Sequence, residues 1–180
     1  MRFEKRLLLL IPALAALTAP LLMAAGAGAE ATPAGPTPRG SLCAVGERVI
    51  FSCGIGRKTV SVCGGTATAP HAQYRFGAPG DIELAFPGPD QSGLTYAREA
   101  YSGGGAQQIR FSAGGYDYAV YSHTVRTGFG RRGNRPQFSD GVMVARGGRL
   151  LSNRACTTPV RADAQPEDFM PEGAMIAWPD

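Results

Sequence analysis

The chain has 180 residues, which is enough for one domain. Its net charge is +4. The first 29 residues carry three basic side chains and one acidic side chain, so the rest of the chain is close to neutral. The basic excess therefore belongs largely to the N-terminus, and it does not indicate nucleic-acid binding.

The N-terminus is typical of a secretory signal peptide. A basic stretch over residues 1–6 precedes an uncharged Leu- and Ala-rich run over residues 7–29, and small residues suit cleavage after Ala27 or Ala29. The run is also long enough for an uncleaved anchor, but its prolines and its Ala/Gly-rich end favour cleavage. We therefore predict a periplasmic or secreted protein with no membrane attachment after cleavage.

Composition divides the chain into four segments. We predict a signal peptide over 1–29, a Pro/Ala/Gly-rich linker over 30–42, a β-domain over 43–156 and an acidic C-terminal extension over 157–180. The extension is predicted to dock loosely, with one short helical turn that starts near Pro166, where proline is well tolerated.

Alternating apolar and polar residues predict a series of β-hairpins, beginning with arms at residues 49–53 and 58–63. The glycine-containing break between these arms suggests that Cys53 lies opposite Lys58. The second hairpin has a Pro-Gly pair that fits a type II turn, with Phe76 placed opposite Ile82.

Two Gly-Gly pairs predict further hairpins. The pair at residues 114–115 places Phe111 opposite Tyr118, and this register collects bulky side chains on one face. The pair at residues 147–148 predicts the last hairpin, and residues 94–97 form a weaker strand candidate. Each predicted hairpin pairs two consecutive strands in an antiparallel arrangement.

Eight or nine short strands joined by tight turns predict an all-β fold. The strands form an antiparallel meander, which is either closed as a small barrel or folded as a two-layer sandwich. Sequential hairpins favour the barrel, because closure removes exposed sheet edges.

The four cysteines all follow the signal peptide, and in an oxidising compartment they are predicted to form two disulfides. Their spacing does not suit zinc, and no metal or other cofactor is predicted. Cys53 and Cys63 lie several rungs apart on one hairpin, so we favour Cys53–Cys156 with Cys43–Cys63. The alternative is Cys43–Cys53 with Cys63–Cys156.

Motifs for catalysis are missing from the sequence. It contains no nucleophile elbow, P-loop, dinucleotide fingerprint or metalloprotease helix. His71 and His123 have no carboxylate nearby in sequence to orient them, and oxidised cysteines provide no thiolate. We therefore predict a non-enzymatic protein, with a small hydrolase that uses one of these histidines as the alternative.

The strongest concentration of charge lies in a predicted loop over residues 127–140 and just before it. A glycine-rich loop that carries several arginines is suited to bind a protein or an envelope component. Two phenylalanines in the same loop favour binding, because aromatic side chains beside arginine are typical interface anchors. The arginines are Arg126, Arg131, Arg132 and Arg135. The sequence makes no prediction of oligomeric state.

Several runs together resemble a family of small exported proteobacterial proteins of unknown function. These are FSCGIGRKTVSVC, YRFGAPGDIELAFP, the arginine/glycine segment with GVMVARGG, and a late Cys-x-x-Pro. The resemblance covers most of residues 43–159. It supports the domain limits and implies no activity.

A shorter pattern is similar to periplasmic and membrane-bound inhibitors of c-type lysozyme. Ser92 and Tyr96 match their S-G-x-x-Y loop, and Phe51, Cys53 and Cys156 fit the surrounding pattern. The resemblance implies a small β-barrel that inserts this loop and a downstream lysine into the lysozyme cleft. Here no lysine follows Lys58, so an arginine would have to supply that charge.

Overall fold

The computed structural model describes residues 40–66, 69–88, 93–130 and 133–176, so the signal peptide and most of the predicted linker lie outside it. Nine strands confirm the all-β prediction, and a 3-10 turn over Pro166–Asp168 begins at the expected proline. The strands are β1 (Arg48–Ile55), β2 (Lys58–Thr66), β3 (Ala69–Ala78), β4 (Asp81–Phe86), β5 (Thr95–Tyr101), β6 (Gly104–Ala113), β7 (Tyr116–Gly130), β8 (Gly133–Arg146) and β9 (Arg149–Ala155).

The strands form two open antiparallel sheets. Strands β1 to β4 make the first sheet and β5 to β9 the second, each in chain order. Apolar side chains from both sheets share one core, as in a two-layer sandwich. The barrel that the hairpin order favoured is wrong, because within the described ranges no ladder between strands joins the two sheets.

The chain after β9 pairs with one edge strand of each sheet. These edges are therefore covered although the sheets do not close into a barrel. Along β1, Ser52 and Arg161 exchange backbone hydrogen bonds of 2.9 and 2.8 Å. Along β5, the Tyr96 N–H donates to the Pro171 carbonyl at 3.1 Å, and the Gly173 N–H donates to the Tyr96 carbonyl at 2.7 Å. Pairing of this kind satisfies the backbone groups that an open edge leaves exposed.

The C-terminal segment is therefore more firmly attached than the loosely docked extension that the sequence predicts. Pro166 and Met170 are buried, and Met170 belongs to the shared core. The Gln108 side-chain amide donates to the Ile176 carbonyl at 2.9 Å and accepts from the Ile176 N–H at 2.8 Å. The apolar tip that ends at Trp178 lies only partly within the described residues.

The hairpin registers follow the sequence where the turn has two residues and no bulge. The turn at residues 114–115 places Phe111 opposite Tyr118, as predicted. The first hairpin turns at residues 56–57 instead, with Gly56 at φ +63°, so Cys53 lies opposite Val60 rather than Lys58. The remaining difference is in the second hairpin, where a bulge between Phe76 and Gly77 places Phe76 opposite Leu84.

The two disulfides are the favoured pair. Cys53 on β1 bonds to Cys156, which directly follows β9, so this bond connects the two sheets. Cys43 bonds to Cys63 on β2 and attaches the segment before β1 to the first sheet. Their Cα atoms lie 5.7 and 5.4 Å apart, a normal separation for disulfides.

A mostly buried ion pair also attaches this N-terminal segment. The Arg75 guanidinium donates two hydrogen bonds to the Glu47 carboxylate, at 2.6 and 2.8 Å, and a third to the Leu42 carbonyl at 2.9 Å. Burial raises the pKa of Glu47. Hydrogen bonds from Arg75 and the Ala44 N–H, together with the positive charge of Arg75, outweigh it, so the pKa lies below its ordinary value of 4.5.

We expect Glu47→Gln to lower the free energy of unfolding by roughly 2 kcal/mol at neutral pH. Because the folded-state pKa is depressed, the stabilising effect of Glu47 is present above the unfolded pKa and is lost as the pH falls through the folded value. Urea denaturation at pH 7 and pH 3 should therefore show a smaller difference from the wild type at pH 3.

Glu167→Gln is the matched control, since Glu167 pairs with Arg98 on the surface. That change should cost less than about 1 kcal/mol. An equal effect of the two substitutions at pH 7 would contradict the assignment of the stabilising role to Glu47.

Candidate binding pocket

A pocket of about 460 Å³ opens between the two sheets, beside the turn that joins β1 to β2. The first sheet contributes its apolar and aromatic wall with Ile55, Tyr74, Phe76 and Leu84. These side chains lie at alternate positions along their strands, on the face that points towards the second sheet. The pocket is therefore a local gap in the shared core.

The opposite wall comes from three strands of the second sheet. It consists of Tyr118, Val142, Val144 and Ser152. Ser152, on the edge strand β9, lies opposite Val144 of β8. Its side chain is small, so it fills less of the space between the sheets than a large apolar side chain would. The pocket is therefore bounded at this edge of the sandwich by a small side chain.

Stacked aromatic rings support the two tyrosines from behind. The Phe111 ring centroid lies 4.8 Å from that of Tyr74 and 4.6 Å from that of Tyr118. Phe86 stacks on Phe111 at 4.5 Å. Because these rings come from both sheets and pack tightly, they hold the inner end of the pocket in a fixed shape.

The rim of the pocket is positively charged. Arg57, Lys58 and Arg154 line it, and the Lys58 Nζ lies 2.6 Å from a Glu83 carboxylate oxygen. Among the described residues, the side chains of Arg57 and Arg154 have no hydrogen-bond or ion-pair partner. The balance of charge at the rim is therefore positive.

The hydroxyl groups of Tyr74 and Tyr118 make no hydrogen bond within the described part of the protein, although Tyr74 is only 3% exposed. Burial raises the pKa of Tyr74 well above its ordinary value, and the neighbouring Tyr118 raises it further. Tyr74 therefore stays neutral in the pocket wall.

The residues that the sequence singled out for partner binding lie elsewhere. The predicted loop over residues 127–140 is wrong, because β7 and β8 continue as a paired ribbon as far as Gly130 opposite Gly133. Arg126 and Arg135 are exposed on this ribbon, near Phe138, which is 70% exposed. The other two arginines, Arg131 and Arg132, lie outside the described residues.

Tyr96 and Ser92 are not brought together as an exposed loop in the described residues. Tyr96 lies on β5, and its half-buried side chain packs against the shared core. Its backbone is engaged by the C-terminal segment, as described above. Ser92 lies outside the described residues.

The two histidines lie on different sheets. His71 is exposed on β3, while His123 on β7 places its ring edge-on to Tyr101, with 5.9 Å between centroids. Neither histidine lines the pocket. The pocket therefore contains apolar, phenolic and cationic groups, which are suited to hold a ligand.

Sequence reasoning missed the pocket, although it placed Tyr74, Phe76 and Leu84 on one face of their hairpin. The missing information is how the two sheets lie against each other, and alternation within strands does not contain it. Arg57 and Arg154 are separated by 97 positions in the sequence, so nothing local indicates that they line one pocket.

Fold and site together define a disulfide-linked two-sheet β-protein with a cation-rimmed pocket between its sheets. Comparison with protein-family models, curated proteins and solved structures gives no match. The two family resemblances therefore stay predictions. In the described part of the chain, no helical segment has the length and apolar character needed to cross a membrane.

Proposed function

We propose that this protein is an exported, non-enzymatic binding protein whose site is the pocket between the sheets. One observation carries the proposal: an opening of about 460 Å³ with largely apolar and aromatic walls lies between the two sheets. Pockets of roughly 300 to 1,000 Å³ with mostly apolar walls and a few polar groups are the usual sites for small molecules. The two disulfides and the signal-like N-terminus support export.

The ribbon of β7 and β8 is a weaker basis for the function. Its exposed Phe138 and its two described arginines offer a contact surface, but none of these three side chains lines the pocket between the sheets. Lysozyme inhibition has no supporting feature in the described residues, because the side chain of Tyr96 packs inwards. The pocket is therefore the site that we propose.

Ser152→Phe tests this proposal, because the new ring fills the pocket from its edge strand. N-phenyl-1-naphthylamine, an uncharged fluorescent probe, should bind the wild-type protein saturably with an increase in fluorescence. We expect the affinity of Ser152→Phe for this probe to fall by at least roughly tenfold.

Leu151→Phe is the matched control, since Leu151 is exposed on the same strand and does not line the pocket. That variant should bind the probe as the wild type does. Undiminished binding by a folded Ser152→Phe variant, or no binding by the wild type, would overturn the proposed site.

A further inference from the structure

We propose that the pocket is selective for an amphipathic monocarboxylate, with the carboxylate held at the arginines of the rim and the aliphatic chain against the apolar walls. This inference rests on the proposed function and adds the chemical class of the ligand. It follows from the distribution of charge and apolar surface around the pocket.

The rim favours a negative head group. Glu83 is the acidic partner of Lys58 alone, at 2.6 Å, so the charges of Arg57 and Arg154 are left without compensation among the described residues. A guanidinium binds a carboxylate through two parallel hydrogen bonds, a geometry that neither an alcohol nor an amine reproduces. A cationic rim also repels a cationic ligand, and its field is strengthened by the apolar walls behind it.

The interior favours an uncharged chain. Ile55, Phe76, Leu84, Val142 and Val144 have no polar side-chain atom to pair with a second charged group. Each methylene removed from water in such a site contributes about 0.8 kcal/mol. A ligand that is charged along its length would lose this gain, so the charge is confined to one end.

The two tyrosines of the pocket walls are also compatible with a carboxylate ligand. Tyr74 and Tyr118 add aromatic ring area to the apolar walls, and burial raises the pKa of Tyr74, so Tyr74 adds no negative charge that would repel a carboxylate.

Three probes with the same chain separate the possibilities: decanoate, 1-decanol and decylamine, each below its aggregation limit. Displacement of N-phenyl-1-naphthylamine should show that decanoate binds roughly tenfold more tightly than 1-decanol, and that decylamine binds weakest. Added salt should weaken the binding of decanoate and leave that of 1-decanol unchanged.

Arg57→Gln and Arg154→Gln should each reduce the affinity for decanoate by roughly five- to tenfold while leaving 1-decanol unaffected. Arg149→Gln, on β9 but away from the pocket, should change neither. Equal affinities for decanoate and 1-decanol would overturn the inference and leave the proposed function standing. Loss of binding for all three probes and for the fluorescent probe would overturn both.

Discussion

Replacement of Cys53 and Cys156 by alanine should lower the free energy of unfolding by about 4 to 5 kcal/mol, the largest effect that we expect from any change in this protein. The two cysteines are 103 positions apart, so their bond restricts most of the unfolded chain. Without it, the unfolded ensemble gains the freedom of a loop of that length. Guanidinium denaturation of the double variant measures the loss directly.

The other disulfide provides a control within the same molecule. Cys43 and Cys63 are 20 positions apart, and their joint replacement by alanine should cost about 3 kcal/mol by the same reasoning. Three of the four cysteines are buried and Cys156 is partly buried, so the difference between the two double variants reports mainly on loop length. A larger loss from the Cys43/Cys63 variant would contradict this explanation.

Met170→Ala should cost about 3 kcal/mol, because it leaves a cavity where the C-terminal segment enters the shared core. Met170 is 6% exposed and belongs to the same cluster as residues of both sheets. The free energy of unfolding from urea denaturation is the measurement. Glu172→Ala is the control, since that side chain is exposed two positions further on, and it should cost under about 0.5 kcal/mol.

A chain that ends at Ala164 extends this test. It lacks Met170 and also the backbone bonds that Pro171 and Gly173 make with β5. The uncovered edge of β5 should then pair with other copies, and size-exclusion chromatography should show self-association. A monomeric truncated chain with wild-type stability would contradict the role that we assign to this segment.

Local pairing could be predicted from the sequence where the turn left one choice. The Gly114–Gly115 turn gave the correct partner of Phe111, because a two-residue turn without a bulge determines every rung that follows. The first hairpin contains two glycines in its break, which leaves more than one turn position open, and the turn lies at residues 56–57, so Cys53 lies opposite Val60 and not opposite Lys58.

The arrangement of the sheets could not be predicted in the same way. The choice between a barrel and a sandwich depends on which segment pairs with the β1 edge, and that segment contains Arg161, more than 100 positions away. The pocket has the same origin, since Arg57 and Arg154 line it only after the two sheets have stacked. Alternation describes the faces of a strand and says nothing about what those faces meet.

The position of the segment that covers the edges of β1 and β5 has a consequence for the order in which the protein folds. Residues 157–176, which pair with both sheets, follow β9 in the sequence, and Cys156, the second half of the Cys53–Cys156 bond, directly precedes them. A partly synthesised chain lacks the contacts of highest sequence separation and has no complete fold. We therefore expect the two sheets to reach their full stability only when residues 157–176 are available to pair with them.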